Sequence, residues 1–247
     1  MTARLALVSG GTGALGTAIC QQLAASGRRV AAIGHPAESD RLDAWCEQHS
    51  PAGQAFAAYA IDVADFNSTE TALRRIEAEL GPIDILINAA GITRDASLRK
   101  MTPEAWREVM ATNLDSVFNL TRPLIQGMCE RGFGRIVNLS SVNGQRGQFG
   151  QTNYSAAKAG MHGFTMALAQ EVASRGVTVN TVSPGYIDSP MIRGVPEAIR
   201  EQIRAGIPQG HFGQPSDIAR AVNFLSADET AYITGANLPV NGGLYMS

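Results

Sequence analysis

The chain has 247 residues, 45% of them hydrophobic and 17% charged, with a formal net charge of −2. That composition has ample apolar material for a core and excludes disorder. The charge excludes the broad basic surface that nucleic acid or an anionic membrane demands, so neither partner is expected. Three cysteines (Cys20, Cys46, Cys129) and four histidines (His35, His49, His162, His211) lie far apart, without ligand spacing, and predict neither a disulfide framework nor a metal site. The first apolar run, "LALV", stops at once in "SGGTG". It is too short for a signal segment or a membrane span, and a cytoplasmic location is expected.

In chain order, β-rich runs recur: "RLALVSG", "RRVAAIG", "FAAYAIDV", "IDILINAAG", "GRIVNLSS" and "GVTVNTVSPG". Each is apolar on successive residues rather than alternating, the pattern of strands covered on both faces. Between them the pattern predicts helices over Ala14 to Ser26, Ser39 to His49, Ser68 to Leu80, Pro103 to Arg131, Thr152 to Arg175 and Pro215 to Ser226. Asn67 or Ser68, Thr102 with Pro103, and Gln214 with Pro215 supply the helix starts. This alternation predicts a single-domain α/β fold over residues 1–247: a Rossmann-type doubly wound parallel sheet of about seven strands, helices on both faces. Residues 186–212 break the rhythm with Pro190, Pro196 and Pro208, three glycines and one short helical piece near Glu197 to Arg204. Lying after a strand end, where such sheets bind ligands, the segment is expected to be a substrate lid.

"SGGTGALG", Ser9 to Gly16, joins the first strand to the first helix and contains G-x-G-x-x-G at Gly11, Gly13 and Gly16. Glycines there let the backbone approach a pyrophosphate lying on the helix N-terminus, so dinucleotide binding is expected, with Gly10, Gly13, Leu15 and Gly16 as contacts. At the end of the second strand an acidic residue would bind a ribose 2′-hydroxyl. Gly34 and His35 stand there instead, with Ser39 and Arg41 close by to meet a 2′-phosphate. NADPH is therefore expected rather than NADH, although Glu38 and Asp40 in the same loop count against it. Further on, "NYSAAKAG" places Tyr154 and Lys158 one helical turn apart on one face.

Taken together, "SGGTGALG", "DV" at Asp62 and Val63, "NAAG" at Asn88 to Gly91, "TNLDSVFN" around Asn113, "GRIVNLSSVNG" around Ser141, "YSAAK" and "SPGYIDSP" resemble the short-chain dehydrogenase/reductase family over essentially the whole chain. Ser9, Ala14 and Ala89 depart from the family's usual threonine, glycine and asparagine, and Asp188 and Pro190 from its usual loop residues. Within the family, "GITRDASLRKMT" and "SSVNGQRGQFGQTNYS" are most similar to acetoacetyl-CoA reductases. "EVASRGVTVN" and "AYITGANLPVNGG" are similar to 3-oxoacyl-acyl-carrier-protein reductases. Both groups reduce a 3-ketoacyl thioester to the (3R)-hydroxyacyl thioester. The resemblance implies an NADPH-dependent acetoacetyl-CoA reductase, with the carrier-protein thioester as the alternative substrate, where Arg131 and Arg175 would meet the carrier. A non-catalytic dinucleotide sensor is the remote third reading.

The resemblance also implies roles for single residues. Tyr154 donates a proton to the substrate oxygen, and Lys158 lowers the phenol's pKa and binds the nicotinamide ribose. Ser141 orients that oxygen, and Asn113 holds a water. Asp62 and Val63 flank the adenine, while Asn88, Ala90 and Gly91 line the cofactor cleft. Pro184, Gly185 and Ile187 lie against the nicotinamide, whose carboxamide Ser189 binds. Asp95, Gln148, Phe149, Gln151 and Tyr186 border the acyl thioester, Phe149 having ordinary surface area as its alternative. A homotetramer packed through the long helices Pro103 to Arg131 and Thr152 to Arg175 is the expected assembly.

Overall fold

Seven strands form one sheet: β1 (Leu5–Ser9), β2 (Arg29–Gly34), β3 (Ala57–Ala60), β4 (Ile83–Asn88), β5 (Gly134–Leu139), β6 (Val177–Pro184) and β7 (Asn237–Val240). This architecture comes from a computed structural model that describes residues 3–53 and 56–246. The order is β3-β2-β1-β4-β5-β6-β7, and each neighbouring pair is parallel. Helices fill the connections: α1 (Ala14–Ala25), α2 (Leu42–His49), α3 (Phe66–Leu80), α4 (Pro103–Met110), α5 (Ser116–Arg131), α6 (Val142–Arg146), α7 (Thr152–Val172), α8 (Pro190–Arg193), α9 (Glu197–Ala205) and α10 (Pro215–Leu225). The chain is thus a Rossmann-type α/β protein, as the alternation of runs predicts. No helix among the described residues is long and apolar enough to cross a membrane.

The continuous apolar runs have a direct structural cause. Side chains alternate across a strand, so Leu5 and Leu7 of β1 join Leu73 and Ile76 of α3 and Leu120 and Leu124 of α5 on one face. Ala6 and Val8 join Ile19 and Leu23 of α1 and Ile218 and Val222 of α10 on the other. Each fully buried Leu or Ile contributes about 1.5–3 kcal/mol, so a polar residue in either set would be costly. A Cβ on Gly11 would lie 2.7 Å from that of Ala32, so the chain turning out of β1 runs tight against β2 before α1 begins.

Several boundaries differ from the sequence reading. The seventh strand, "NLPV", contains Pro239, and it is tolerated because β7 is an edge strand paired only with β6. Helix α3 begins before Asn67, because the Asp65 carboxylate accepts the Ser68 N–H at 2.7 Å and caps it. Thr102 caps α4 as expected, accepting from the Ala105 N–H. The expected helix from Pro103 to Arg131 is interrupted by a π-helical turn at Ala111–Asp115, where the Ser116 N–H reaches back to the Ala111 carbonyl. Residues 36–41 form a 3₁₀ turn before α2 rather than its first turn.

Candidate active site

The strand order reverses at β1, which has β2 on one side and β4 on the other, and a cleft of about 710 Å³ opens at their carboxyl ends. Gly10, Gly13, Leu15, Gly16, Asp62, Val63, Ala90 and Gly91 all line it. Gly10 has φ +62°, and a Cβ there would lie 2.9 Å from the Ala90 Cα. At Gly16 a Cβ would lie 2.0 Å from the Gly10 carbonyl oxygen, so the turn admits no side chain. The N-cap of α1, Gly13, makes no side-chain cap, and the first turn holds no acid. Its backbone N–H groups therefore suit an anion such as a pyrophosphate, and the cradle fits a dinucleotide. Ser9 ties this loop to the next: its hydroxyl accepts the Ala89 and Ala90 N–H groups at 3.1 and 3.2 Å.

Two of the expected contacts sit elsewhere. Asn88 is buried in the sheet, donating to Asn138 at 2.8 Å; Asn138 donates to Thr165, which meets Thr181. This ladder ties β4, β5, β6 and α7 together beneath the cleft floor. Arg41 is exposed and lies outside the cleft lining, whereas Thr12 and Glu38 are part of it.

A second cleft, of about 300 Å³, shares Leu15, Ala89, Gly91 and Ile92 with the first. Ser141, Gln151, Tyr154, Lys158, Pro184, Gly185, Tyr186, Ile187 and Ser189 line it. Ser141 follows β5 and caps α6, its Oγ accepting the Asn143 N–H at 3.1 Å. Tyr154 and Lys158 stand one turn apart on α7. Gly144 lets α6 approach that helix, since a Cβ there would lie 2.8 Å from the Lys158 carbonyl carbon. The Ser141 hydroxyl lies on the Tyr154 side of this cleft and favours the ionised phenol. Lys158 Nζ donates to the Leu139 carbonyl at 2.7 Å and lies 5.7 Å from the tyrosine ring centre.

Burial dominates the electrostatics of this end. It pushes the Lys158 ammonium down from 10.5 to about 7, because the charged form loses its hydration. Burial also raises the Tyr154 phenol above its ordinary value; the Ser141 hydroxyl opposes this and the Asp95 charge reinforces it. Burial outweighs the Ser141 hydroxyl, and the tyrosine is held in its protonated form.

Asn113 is fully buried in the π-helical turn, its Oδ1 accepting the Ile92 N–H at 2.8 Å and its Nδ2 donating to the Ile92 carbonyl at 2.9 Å. Both ends of the side-chain amide are thus engaged in pinning the segment after β4. Beside Ser141, Gln151 donates to Asp95 at 2.9 Å and accepts from Asn143 Nδ2 at 3.0 Å. A carboxylate only accepts, so Asp95 fixes the orientation of Gln151 and, through it, that of Asn143. Gln148 and Phe149 lie outside both clefts, and Phe149 is 89% exposed.

Some residues of this site escape a reading of the sequence alone. Asn143 is one, its signal being a polar residue directly after a strand-end serine. Asn153 is another: fully buried, it donates to the Arg94 and Ala105 carbonyls and moors the start of α7. Ser140 donates to the Lys158 carbonyl and meets His162, whose pKa burial lowers.

Comparison with known proteins agrees with this geometry. The family described as enoyl-(acyl carrier protein) reductase matches residues 11–245. An acetoacetyl-CoA reductase of Allochromatium vinosum is 55% identical over 244 residues, 99% of each chain. One from Cupriavidus necator is 54% identical over 246 residues, the whole of both chains. A 3-oxoacyl-[acyl-carrier-protein] reductase of Pseudomonas aeruginosa is 44% identical over 244 residues, 99% of this chain and 98% of that one. With the glycine cradle, the reversed strand order and the Ser141, Tyr154 and Lys158 cleft in place, the chain belongs to the short-chain dehydrogenase/reductase family of nicotinamide-dependent oxidoreductases.

Proposed function

We propose that this chain reduces acetoacetyl-CoA to (3R)-3-hydroxybutyryl-CoA. The observation that carries the reading is that Ser141, Tyr154 and buried Lys158 line one cleft, which shares a wall with the dinucleotide cradle. The acetoacetyl-CoA reductases that are 54–55% identical over the full length supply the substrate class.

Leu15, Ala89, Gly91 and Ile92, common to both clefts, would hold a reduced nicotinamide, which would supply a hydride to the ketone carbon. Ser141 holds the ketone oxygen through its hydroxyl and aims it at Tyr154. The phenol, kept protonated by burial, gives its proton to that oxygen as negative charge develops there, and the C–O bond becomes an alcohol. The phenolate left behind is stabilised by the Ser141 hydroxyl and by the Lys158 ammonium one turn away. Lys158, with a pKa near 7, exchanges protons readily at neutral pH and can reprotonate the tyrosine. Asn113 keeps Ile92, a residue common to both clefts, in place.

Residues 186–212 act as the lid in this reading. Support comes from their base, closed by Gly213 N–H to the Tyr186 carbonyl at 3.0 Å and Asp188 N–H to the Gly213 carbonyl at 2.8 Å, with α8 and α9 carried between. A homotetramer through α5 and α7 fits the exposure of Phe118 and Met166 on those helices, and light scattering showing only monomer would reject it. Arg131 donates to the Ile83 carbonyl at 2.8 Å and lies 3.4 Å from Asp84. That commitment within its own chain weighs against a carrier-protein dock there. Of the two cofactors, NADPH is the reading that Arg41 supports and NADH the one that Glu38 supports. Turnover of acetoacetyl-CoA against acetoacetyl-carrier protein at matched concentration tests the substrate, and preference for the carrier would transfer the assignment.

A further inference from the structure

After β2 ends at Gly34, the chain turns through Pro36–Arg41 as a 3₁₀ helix. His35 caps this turn, its Nδ1 accepting the Ala37 N–H at 3.2 Å, while Glu38 reaches back to accept the His35 N–H at 3.2 Å. This reciprocal capping lays the Glu38 carboxylate over Gly34, where a Cβ would lie 2.9 Å from Oε2. Thr12, from the phosphate loop, donates to the same oxygen at 2.7 Å. The carboxylate is therefore held between the loop after β1 and the turn after β2, inside the dinucleotide cleft.

Among the described residues, no arginine or lysine pairs with it on that side. Arg41 is exposed and outside the lining, and Ser39 donates to Asp40. His35 Nδ1 is engaged by the Ala37 N–H. Arg94 and Arg107, which line the same cleft, belong to elements after β4, across β1 from β2, where they pair with Glu108 at 2.8 Å and Glu104 at 3.4 Å. Asp62 adds a second carboxylate to the lining.

We propose that Glu38 sets the cofactor preference of this chain toward NADH. Its carboxylate accepts the 2′-hydroxyl of the adenosine ribose, and a 2′-phosphate brought to the same place meets like charge. The inference rests on the cleft being a nicotinamide dinucleotide site and is independent of which thioester is reduced.

The test is direct binding of NADH and NADPH without thioester, measured by calorimetry on the wild type, Glu38→Gln and Arg41→Ala. Gln keeps the acceptor for Thr12 and His35 and removes the charge. The wild type is expected to bind NADH about tenfold or more tighter than NADPH, and Glu38→Gln to shrink that ratio about tenfold, chiefly by tightening NADPH. Arg41→Ala should move the ratio less than twofold. Tighter binding of NADPH by the wild type, an unchanged ratio in Glu38→Gln, or loss of NADPH affinity in Arg41→Ala would each overturn the proposal. If neither nucleotide binds, the proposal falls together with the dinucleotide reading. If NADH binds tightly but acetoacetyl-CoA is not reduced, only the proposed function falls.

Discussion

The two ends of the binding cleft are built differently. At the reacting end, Ser141 caps α6 and Tyr154 and Lys158 stand on α7; the Asn143 N–H and the Leu139 carbonyl fix Ser141 and Lys158, and Tyr154 follows Asn153, which moors the start of α7. At the ribose end, Glu38 sits on a short 3₁₀ turn held by its own cap and by one threonine. Chemistry requires the first end to be placed to within fractions of an ångström, and close-packed helices can do that. Discrimination between two cofactors needs only the sign of a charge, which a capped turn can carry and a single substitution can change.

If that division is right, the largest effects lie at the reacting end. Tyr154→Phe should lower kcat by roughly 10²- to 10⁴-fold while leaving cofactor binding near that of the wild type, checked by steady-state turnover alongside calorimetry. Near-normal turnover would break the comparison. Ser141→Ala should cost about 10²- to 10³-fold in kcat, the range seen when one donor to a developing oxyanion is removed. Lys158→Met should also abolish turnover, yet stabilise the fold. Below pH 7 the wild type must bury an ammonium that the unfolded chain keeps hydrated, and methionine has none. Because the folded pKa of Lys158 is depressed, the unfolded state binds the extra proton between about pH 7 and 10.5, and wild-type stability rises with pH over that window. The advantage of Lys158→Met in denaturant titrations should therefore be greatest below pH 7 and fade as pH climbs toward 10.5. An advantage that grows with pH would contradict the buried-lysine account.

Asn143→Ala should act more mildly, cutting kcat by about tenfold or less with little change in KM. The alanine still offers its N–H to Ser141, and only the tie through Gln151 to Asp95 is lost. Rescue by a conservative amide and none by a hydrophobe of equal size would separate positioning from packing.

How legible each region was follows from what kind of information it encodes. The glycine cradle could be read because Gly10 and Gly16 are demanded by the backbone itself, and identity alone reports such a demand. Tyr154 and Lys158 could be read because helical spacing converts i, i+4 into one face. The doubly covered strands announced themselves by unbroken apolar runs, apart from β7, whose proline hid it. Glu38 and Arg41, three residues apart, could not be ranked in this way. Which of them turns into the cleft depends on the His35 cap and on Thr12, 26 residues earlier in the chain. Phe149 lies between Gly147 and Gly150, both with positive φ, and its ring is exposed outside both clefts, which favours the ordinary surface area that the sequence left open for it. Asn88 lies in the right motif, but a polar ladder across three strands draws it beneath the cleft rather than into it.

The central claim is that the Ser141, Tyr154 and Lys158 end of the cleft reduces a 3-ketoacyl thioester. Its most direct test is nicotinamide oxidation by the wild-type protein on addition of acetoacetyl-CoA, with the configuration of the product determined. The account predicts steady turnover to (3R)-3-hydroxybutyryl-CoA. Absence of turnover with both NADH and NADPH would contradict it.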